Sequence, residues 1–452
     1  MMGAVNAKST REVAPARRCA YTVLRRVFEG GAYADQALHA ASKELDPRDR
    51  ALAMRLSYGA VQRRGTIDHF VDSMTDRGAD GLDPPLIAAL RLGLYELLYL
   101  QGSPDYAVVA DTVELAKSSS RGGHGLVNAV MRRAAREGAP ALLATLGEES
   151  PERAAVMHSH PEWMARMWWS ELGPERARSL MAADNEPSEV SLRANTLLTS
   201  AEELAAALPV PARLDPLAPE AVVLGQALDL HGSPLFAAGA FIAQARAAML
   251  VSRMLAPEPG QRVLDLCAAP GGKTTHIAAL MRDEGEVVAV ERSKARAGVL
   301  ARTAQRMRTG IVRVEVGDAA QRRAPGQPFD RVLVDPPCSG LGTLQHRADL
   351  RWRASPASVA ELAALQGRIL AAGASCVCAG GLLVYSTCTI SPDENERLIA
   401  SFLHSNPAFA IEDLSAQLPA LAPAGGAGSG ALQTLPDRDR TAGFYIARLR
   451  RS

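Results

Sequence analysis

The sequence contains no long apolar run and no paired-cysteine motif. No window approaches the roughly 18 to 20 uncharged apolar residues of a membrane helix, and no short apolar segment follows basic residues at the N-terminus, as in a secretory signal. We therefore expect a cytoplasmic protein with no membrane partner. The six cysteines include no CxxC pair, so they form neither a disulfide framework nor a zinc ligand set. We expect reduced thiols and no bound metal.

An excess of charge of one sign is also missing. The chain has 50 Lys and Arg against 49 Asp and Glu, a net charge of +1. This balance neither requires nor excludes a nucleic-acid partner, because phosphate contacts depend on local patches. The length of 452 residues predicts two or three domains, and the 47% hydrophobic content is enough to build their cores.

Strand signals are scarce in the first third of the chain. Residues 11–145 carry helix-period apolar residues, as in "RRCAYTVLRRVFEGG", which predicts an all-α bundle. Residues 146–255 combine helix-like "PEWMARMWWSELGPERARSLM" with strand-like "EVSLRANTL", which predicts linker helices and a small α+β module. Residues 1–10 are polar, and we expect them to be disordered.

Strands and helices alternate from residue 256 to residue 452. The strand-like segments are "RVLDLCA", "EVVAVER", "IVRVEVGDA", "FDRVLVDPPCS" and "GGLLVYSTCT". Such alternation predicts an α/β domain, with a doubly wound, Rossmann-like parallel sheet covered on both faces. A Gly/Ala-rich stretch, "ALAPAGGAGSGAL", predicts a flexible loop before the closing strand-like "AGFYIARLR".

The glycine-rich turn "DLCAAPGGKT" after the first of these strands admits two interpretations. A Walker phosphate loop needs a glycine where Cys267 stands, and "PPCSG" after "RVLVD" does not fit a nucleotide hydrolase, although that alternative stays open. A turn that opens a helix also presents free backbone N–H groups to a carboxylate. We therefore expect a loop for the amino-acid end of S-adenosylmethionine, formed by Cys267, Ala268, Ala269, Pro270, Gly271, Gly272 and Lys273.

Acidic residues follow the next two strands. Glu291 ends the second strand, about 26 residues after Asp265, where dinucleotide folds place the acid that binds ribose hydroxyls. Asp318 follows the third strand and could accept a hydrogen bond from the adenine amino group. Each acid could instead be a helix cap or a solvated charge. Together with the loop, both are predicted to bind the cofactor.

Two cysteines, Cys338 in "DPPCSG" and Cys388 in "YSTCT", lie at the carboxyl ends of the fourth and fifth strands. C5 of a pyrimidine is too weakly nucleophilic to attack a sulfonium methyl group, but thiolate addition at C6 makes it an enamine carbon. Cysteines beside a methyl donor therefore favour this chemistry. The cysteines Cys19, Cys376 and Cys378 are interpreted as inert packing residues.

The motifs "DLCAAPGGKT", "DPPCSG", "YSTCT" and "SLRAN" together resemble those of RNA cytosine-5 methyltransferases of the NOL1/NOP2/Sun type. The helical region, with "YGAVQRR", "LRLGLYELLYL", "TVELAK" and "LVNAVMRR", resembles the antitermination factor NusB. Fused in this order, the two resemble the RsmB/Sun (Fmu) family of 16S rRNA cytosine-5 methyltransferases over nearly the whole chain. The resemblance implies an S-adenosylmethionine-dependent enzyme with a NusB-like bundle and a Rossmann-like catalytic domain.

The same resemblance implies roles for individual residues. Cys388 would be the nucleophile that adds to C6, and Cys338 would help to release the methylated product. Asp335 would bond the N3 and N4 edge of cytosine, and it could also approach the cofactor. Lys273 would lie near the base and the methionine end of the cofactor. Leu341, Ala245 and Ala247 depart from the family pattern and put the choice of target, but no catalytic group, in question.

The implied partner is 16S rRNA, free or in an early small-subunit intermediate, bound by a monomeric protein. The target base must be unstacked, as in single-stranded loops. Trp352 could stack on a base or simply pack. Basic clusters that could contact the backbone, or be solvated helix faces, are Arg17, Arg18, Arg25 and Arg26; Arg132, Arg133 and Arg136; and Arg347, Arg351 and Arg353. Alternatives are methylation of another RNA such as tRNA, and a non-catalytic RNA-binding or antitermination adaptor.

Overall fold

The computed structural model describes residues 12–120, 122–322, 327–422 and 430–452. The predicted disordered tail and most of the predicted Gly/Ala-rich loop lie outside these ranges. The chain divides into two units, one running to Asn185 together with His346–Arg353, the other formed by Glu186–Gln345 and Ala354–Ser452. Within the described ranges, no helix has the length and apolar character needed to cross a bilayer.

The first unit is helical, as the sequence predicts. Its central helix, α5 (Pro84–Tyr99), is buried on nearly every side, and the neighbouring helices pack their apolar faces against it. The predicted helix-like stretch that starts at Pro161 is broken into two helices at Gly173, where φ is 79°, and Pro174 opens the second. The helices up to residue 185 are α1 (Pro15–Phe28), α2 (Ala34–Ala41), α3 (Pro47–Gln62), α4 (Arg64–Met74), α5 (Pro84–Tyr99), α6 (Asp105–Ser119), α7 (His124–Glu137), α8 (Ala139–Leu143), α9 (Pro151–His158), α10 (Glu162–Leu172) and α11 (Pro174–Ala183).

The second unit opens with a small four-stranded antiparallel sheet, which confirms the predicted α+β module. The elements of this region are β1 (Ser191–Ala194), α12 (Ala201–Ala207), β2 (Ala212–Leu214), β3 (Ala221–Leu224), α13 (Pro234–Ala237), β4 (Phe241–Ala243) and α14 (Arg246–Leu255). The strand order in the sheet is β2-β3-β1-β4. The Ser200 side chain and the Glu203 carboxylate form a capping box at the start of α12.

The larger sheet of the second unit is formed by β5 (Arg262–Leu266), β6 (Glu286–Glu291), β7 (Val312–Val316), β8 (Phe329–Val334), β9 (Val377–Thr387), β10 (Phe409–Ile411), β11 (Leu432–Gln433) and β12 (Tyr445–Arg451). Its strand order is β10-β12-β9-β8-β5-β6-β7, and β11 pairs with β12. Strands β5 to β9 are mutually parallel as predicted. The pairings of β10, β11 and β12 are antiparallel, so the expectation of an all-parallel sheet is wrong at this edge. Antiparallel edge strands are common on otherwise parallel sheets.

Helices pack on both faces of this sheet, with one apolar cluster on each face. The order β9-β8-β5-β6 makes the four strands that precede the predicted motifs direct neighbours. Because they are parallel, their carboxyl ends meet at one edge, where ligands of open α/β sheets bind. The remaining helices are α15 (Gly272–Leu280), α16 (Lys294–Arg306), α17 (Leu350–Arg353), α18 (Pro356–Ala374), α19 (Glu396–Ser405) and α20 (Pro436–Asp439), of which α17 belongs to the first unit.

Candidate active site

The predicted cofactor loop joins β5 to α15. Gly271 has a φ of 105° and precedes the first residue of the helix, and a Cβ atom there would lie 2.7 Å from Leu300 Cδ1. The left-handed backbone conformation and the closeness of the Leu300 side chain therefore both favour glycine at this position. Cys267 also adopts a positive φ of 64°, and burial raises the pKa of its thiol to about 12. Cys267 is therefore an uncharged thiol, which packs against an apolar cluster of the sheet.

Below the loop, Asp265 is buried and accepts a hydrogen bond of 2.6 Å from the Thr274 hydroxyl on α15. Burial raises the pKa of Asp265 to about 7, with the charge of Asp335 adding to the effect and the Thr274 bond opposing it. This carboxyl ties the end of β5 to the first turn of α15, and so fixes both ends of the loop.

Arg193 on β1 supports the loop from the other side, a role that sequence reasoning missed. Its guanidinium donates to the Gly272 carbonyl and, at 2.8 Å, to the Thr275 hydroxyl. The side chain is buried, and burial lowers its pKa to about 9. The signal in the sequence was an arginine inside the apolar strand-like segment "SLRAN", where a buried charge needs fixed partners.

The two acids predicted to bind the cofactor occupy different settings. Glu291 ends β6, is buried, and accepts the Ser293 backbone N–H at 2.9 Å. Asp318 lies two residues beyond β7 and accepts from the Ala320 N–H at 3.0 Å as the cap of a short 3₁₀ helix. Asp318 therefore has the capping role that was its structural alternative, whereas the N-cap of the helix after Glu291 is Ser293.

Lys273 and Asp335 form an ion pair at the centre of this edge, with Lys273 Nζ 2.7 Å from Asp335 Oδ2. The other carboxylate oxygen accepts from the Ser386 hydroxyl at 3.0 Å. Burial opposes the charged form of Lys273, but Asp335 and the nearby sulfur of Cys388 outweigh it and raise the lysine pKa. Lys273 is thus a charged ammonium paired with the Asp335 carboxylate. A lysine engaged in this way does not reach for a phosphate, which argues against the Walker interpretation.

The two predicted thiols lie together. Cys338 Sγ is 3.3 Å from Cys388 Sγ, within sulfur hydrogen-bonding distance, and both residues are half-buried. The pKa of Cys338 is raised well above its usual range by the hydrogen bond to Cys388, by burial, and by negative charge on Cys388 and Glu394. Cys19 and Cys376 are buried and Cys378 half-buried, in line with packing roles. The departures Leu341 and Ala247 are fully buried, and Ala245 is half-buried.

Within the first unit, the structure contradicts two of the candidate RNA contacts. Arg351 is fully buried and donates to backbone carbonyls, so it cannot reach a nucleic acid. Arg17 is mostly buried in ion pairs with Glu96 and Asp111. Trp352 packs against the helical core and donates its indole N–H to the Val61 carbonyl at 2.7 Å, so the packing alternative is confirmed. Exposed cluster members are Arg18, Arg26, Arg132, Arg133, Arg136, Arg347 and Arg353.

The fold and the strand-edge site define a methyltransferase domain joined to a NusB-like helical unit. Three family models match the chain. The model for 16S rRNA methyltransferase RsmB/F matches residues 252–450, the NusB family model matches 14–136, and the ferredoxin-like domain of RsmF/B-like methyltransferases matches 160–231.

Relatives match over nearly the whole chain. A probable ribosomal RNA small subunit methyltransferase B from Synechocystis is 37% identical, covering 97% of this chain and 99% of its own. Its counterpart from Bacillus subtilis is 34% identical, covering 96% and 98%. The solved structure described as PH0851 is 27% identical with a TM-score of 0.79, covering 98% of this chain and all of its own. The chain therefore belongs to the family of ribosomal RNA small subunit methyltransferases B, as the motif resemblance implied.

Proposed function

We propose that the protein transfers a methyl group from S-adenosylmethionine to C5 of a cytosine in 16S rRNA, through a covalent bond between Cys388 and C6. The observation that carries this proposal is the pair of sulfur atoms 3.3 Å apart at the ends of β8 and β9, beside the Lys273–Asp335 ion pair. A methyltransferase that did not use covalent catalysis would have no chemical need for two adjacent thiols.

The residues at the edge of the sheet fit S-adenosylmethionine, which would supply an electrophilic methyl group. The first turn of α15 has backbone N–H groups without intrahelical acceptors, suited to the cofactor carboxylate. Gly271 leaves no side chain over this turn. Glu291, at the end of the adjacent strand, is the acid for the ribose hydroxyls, and Asp318 is the acceptor near adenine.

Cys388 acts as the nucleophile because the positive charge of Lys273 stabilises a thiolate there. Addition of the thiolate to C6 gives an enamine whose C5 attacks the methyl group. The C5 proton then leaves, the C6–S bond breaks and the C5=C6 double bond is restored. Cys338, in contact with the nucleophile, assists this last step.

Asp335 selects cytosine. A carboxylate has about four lone-pair sites, of which Lys273 and Ser386 occupy one on each oxygen. The remaining sites accept the exocyclic amino group of cytosine, whereas uracil presents an acceptor at that position and would be repelled.

The substrate is single-stranded or unpaired RNA, since neither face of a paired base is open to a thiolate. On the helical unit, Arg132, Arg133 and Arg136 are exposed on α7 and are suited to phosphate contacts. Free rRNA or an early small-subunit intermediate would present such a target to a monomeric enzyme.

The test is methylation of 16S rRNA fragments by purified protein, read as 5-methylcytidine by mass spectrometry, with tRNA as the competing substrate. Cys388→Ala should abolish methylation, and Cys338→Ala should accumulate a covalent protein–RNA species on denaturing gels. Cys378→Ala is the matched control and should behave as the parent does. Full activity of Cys388→Ala, or methylation of tRNA alone, would contradict the proposal.

A further inference from the structure

Glu394, in the turn after β9, is fully buried close to the two thiols, and the functions proposed above do not use it. Its Oε1 accepts from the Ser339 backbone N–H and from Gln366 Nε2, each at 2.9 Å, and its Oε2 accepts from the Ser339 hydroxyl. These donors are a backbone amide, a side-chain amide and a hydroxyl, all neutral. Burying a carboxylate among neutral groups costs folding free energy unless its hydrogen bonds are well formed. We therefore asked what this buried carboxylate contributes to the neighbouring thiols.

The hydrogen bonds of Glu394 reach the Cys338 turn directly, through Ser339, and the Cys388 turn indirectly, through the contact of Ser339 with Thr389. Ser339 directly follows Cys338, and Thr389 directly follows Cys388. The hydroxyls of Ser339 and Thr389 lie 2.7 Å apart. The Tyr385 hydroxyl donates to the Glu394 carbonyl at 2.6 Å, which anchors the turn to β9. One residue beyond each thiol, the two turns are therefore joined to each other and to a single carboxylate.

We propose that Glu394 is a positioning residue that directs the Cys338 thiol at the Cys388 sulfur for release of the methylated base, an inference that rests on the proposed function. In this step the Cys338 proton passes to the Cys388 sulfur, which takes the electron pair of the breaking C6–S bond. The C5 proton passes to the Cys338 sulfur, and the C5–H electron pair becomes the C5=C6 double bond. Protons and electrons balance, and both cysteines end as thiols.

The electrostatics agree with this geometry. The negative charge of Glu394 contributes to the raised pKa of Cys338, after the hydrogen bond to Cys388 and burial. Cys338 therefore stays protonated and is able to donate in the S–H···S contact. Lys273, in contrast, favours negative charge on Cys388. The two thiols are chemically identical and lie 3.3 Å apart. The Glu394 carboxylate nevertheless favours the protonated form of Cys338, and the Lys273 ammonium favours the thiolate form of Cys388.

The test measures the lifetime of the covalent protein–RNA species in the full-length protein. Glu394→Gln keeps the size of the side chain but removes its charge and one acceptor. We expect the species to persist about tenfold longer, which corresponds to about 1.4 kcal/mol in the barrier to release. The rate of adduct formation and the affinity for S-adenosylmethionine should stay at the parent's values. Asp393→Asn, an exposed neighbour paired with Arg397, is the matched control and should change nothing.

A double variant separates positioning from general destabilisation. In a Cys338→Ala background, Glu394→Gln should lengthen the adduct lifetime no further, because Glu394 acts through Cys338. Ser339→Ala, a smaller perturbation of the same bonds, should act in the same direction as Glu394→Gln and gives the answer if the latter does not fold. Additive effects in the double variant, or parent-like release in both single variants, would overturn the inference. An active Cys388→Ala protein would instead refute the proposed function itself.

Discussion

Asp265 is a buried carboxyl whose ionisation opposes folding. Its pKa of about 7 lies above the ordinary value of 3.8 because burial disfavours the charge. Between about pH 4 and pH 7 the folded protein therefore binds more protons at this site than the unfolded chain does. The site's contribution to stability is present below this window and is lost as pH rises through it, by at most about 1.4 kcal/mol per pH unit.

Asp265→Asn should remove this pH dependence while keeping an acceptor for Thr274. Urea unfolding at pH 5 and pH 8 measures the free energy of unfolding of both proteins. We expect the variant to gain stability relative to the parent as pH rises between these values. The exposed Asp393→Asn serves as the control and should follow the parent. Parallel curves for Asp265→Asn and the parent would mean that this carboxyl is ionised throughout.

Lys273 should control the reactivity of Cys388 in the absence of RNA. Lys273→Gln removes the ammonium whose charge favours a thiolate at Cys388, so a smaller fraction of this thiol is ionised in the variant. Alkylation of Cys388 by iodoacetamide at pH 7, followed by peptide mass spectrometry, should slow by about tenfold. Lys294→Gln on α16 is the matched control, since that lysine is exposed. An unchanged rate would remove Lys273 from the account of the nucleophile.

At the scale of secondary-structure elements, the features that could be predicted are those that a local residue pattern encodes. The strands β5, β6, β8 and β9 were found because their apolar runs are continuous, and the loop after β5 because glycines follow it. The contacts of Arg193 and Glu394 were not found. Arg193 meets Gly272 from 79 positions away and Glu394 meets Ser339 from 55. Such partners depend on which strands are neighbours, and spacing along the chain does not report that.

The prediction for Arg351 was wrong for a different reason. Its place in a cluster of basic residues suggested a charge at the protein surface. Its guanidinium donates to the carbonyls of Ser159 and Asp184, which end α9 and α11. Helix C-termini present unpaired carbonyls and partial negative charge, which an arginine satisfies well. The sequence around Arg351 therefore gave no sign that residues far away along the chain would bury this side chain.

The turn between β5 and α15 should be sensitive to a single added methyl group. Gly271→Ala forces a side chain into a left-handed conformation and against Leu300 at 2.7 Å. We expect the loop to shift and the affinity for S-adenosylmethionine, measured by calorimetry, to fall at least about tenfold, or about 1.4 kcal/mol. In Gly298→Ala on α16 the added Cβ would meet only Arg302 Nη1, at 3.6 Å, which is an ordinary van der Waals contact, so affinity should stay unchanged. Equal affinities for the Gly271 variant and the parent would exclude this turn from the cofactor site.

At the scale of the whole molecule, the chain leaves the second unit at residue 346 and returns to it after 353, and the eight residues between belong to the helical unit. This segment begins eight positions after Cys338. Hydrogen bonds from Arg351 to Asn185 and from Trp352 to the Val61 carbonyl attach it to the helical unit. The turn that carries Cys338 is therefore joined by a short length of chain to a segment that packs in the core of the helical unit.

This topology predicts that cutting the chain between the units does not separate them. A protease site inserted between Asn185 and the exposed Glu186 would, after cleavage, leave the second fragment still contributing 346–353 to the first. The fragments should elute together in gel filtration.

Two substitutions in the segment test whether it holds the fragments together. Arg351→Ala leaves the carbonyls at two helix ends unpaired in a buried site, which costs about 3 kcal/mol of stability. The double variant Arg351→Ala with Trp352→Ala should therefore let the cleaved fragments separate. Arg347→Ala, exposed in the same segment, should not. Separation of the cleaved parent, or co-elution of the double variant, would show that the segment does not hold the two fragments together.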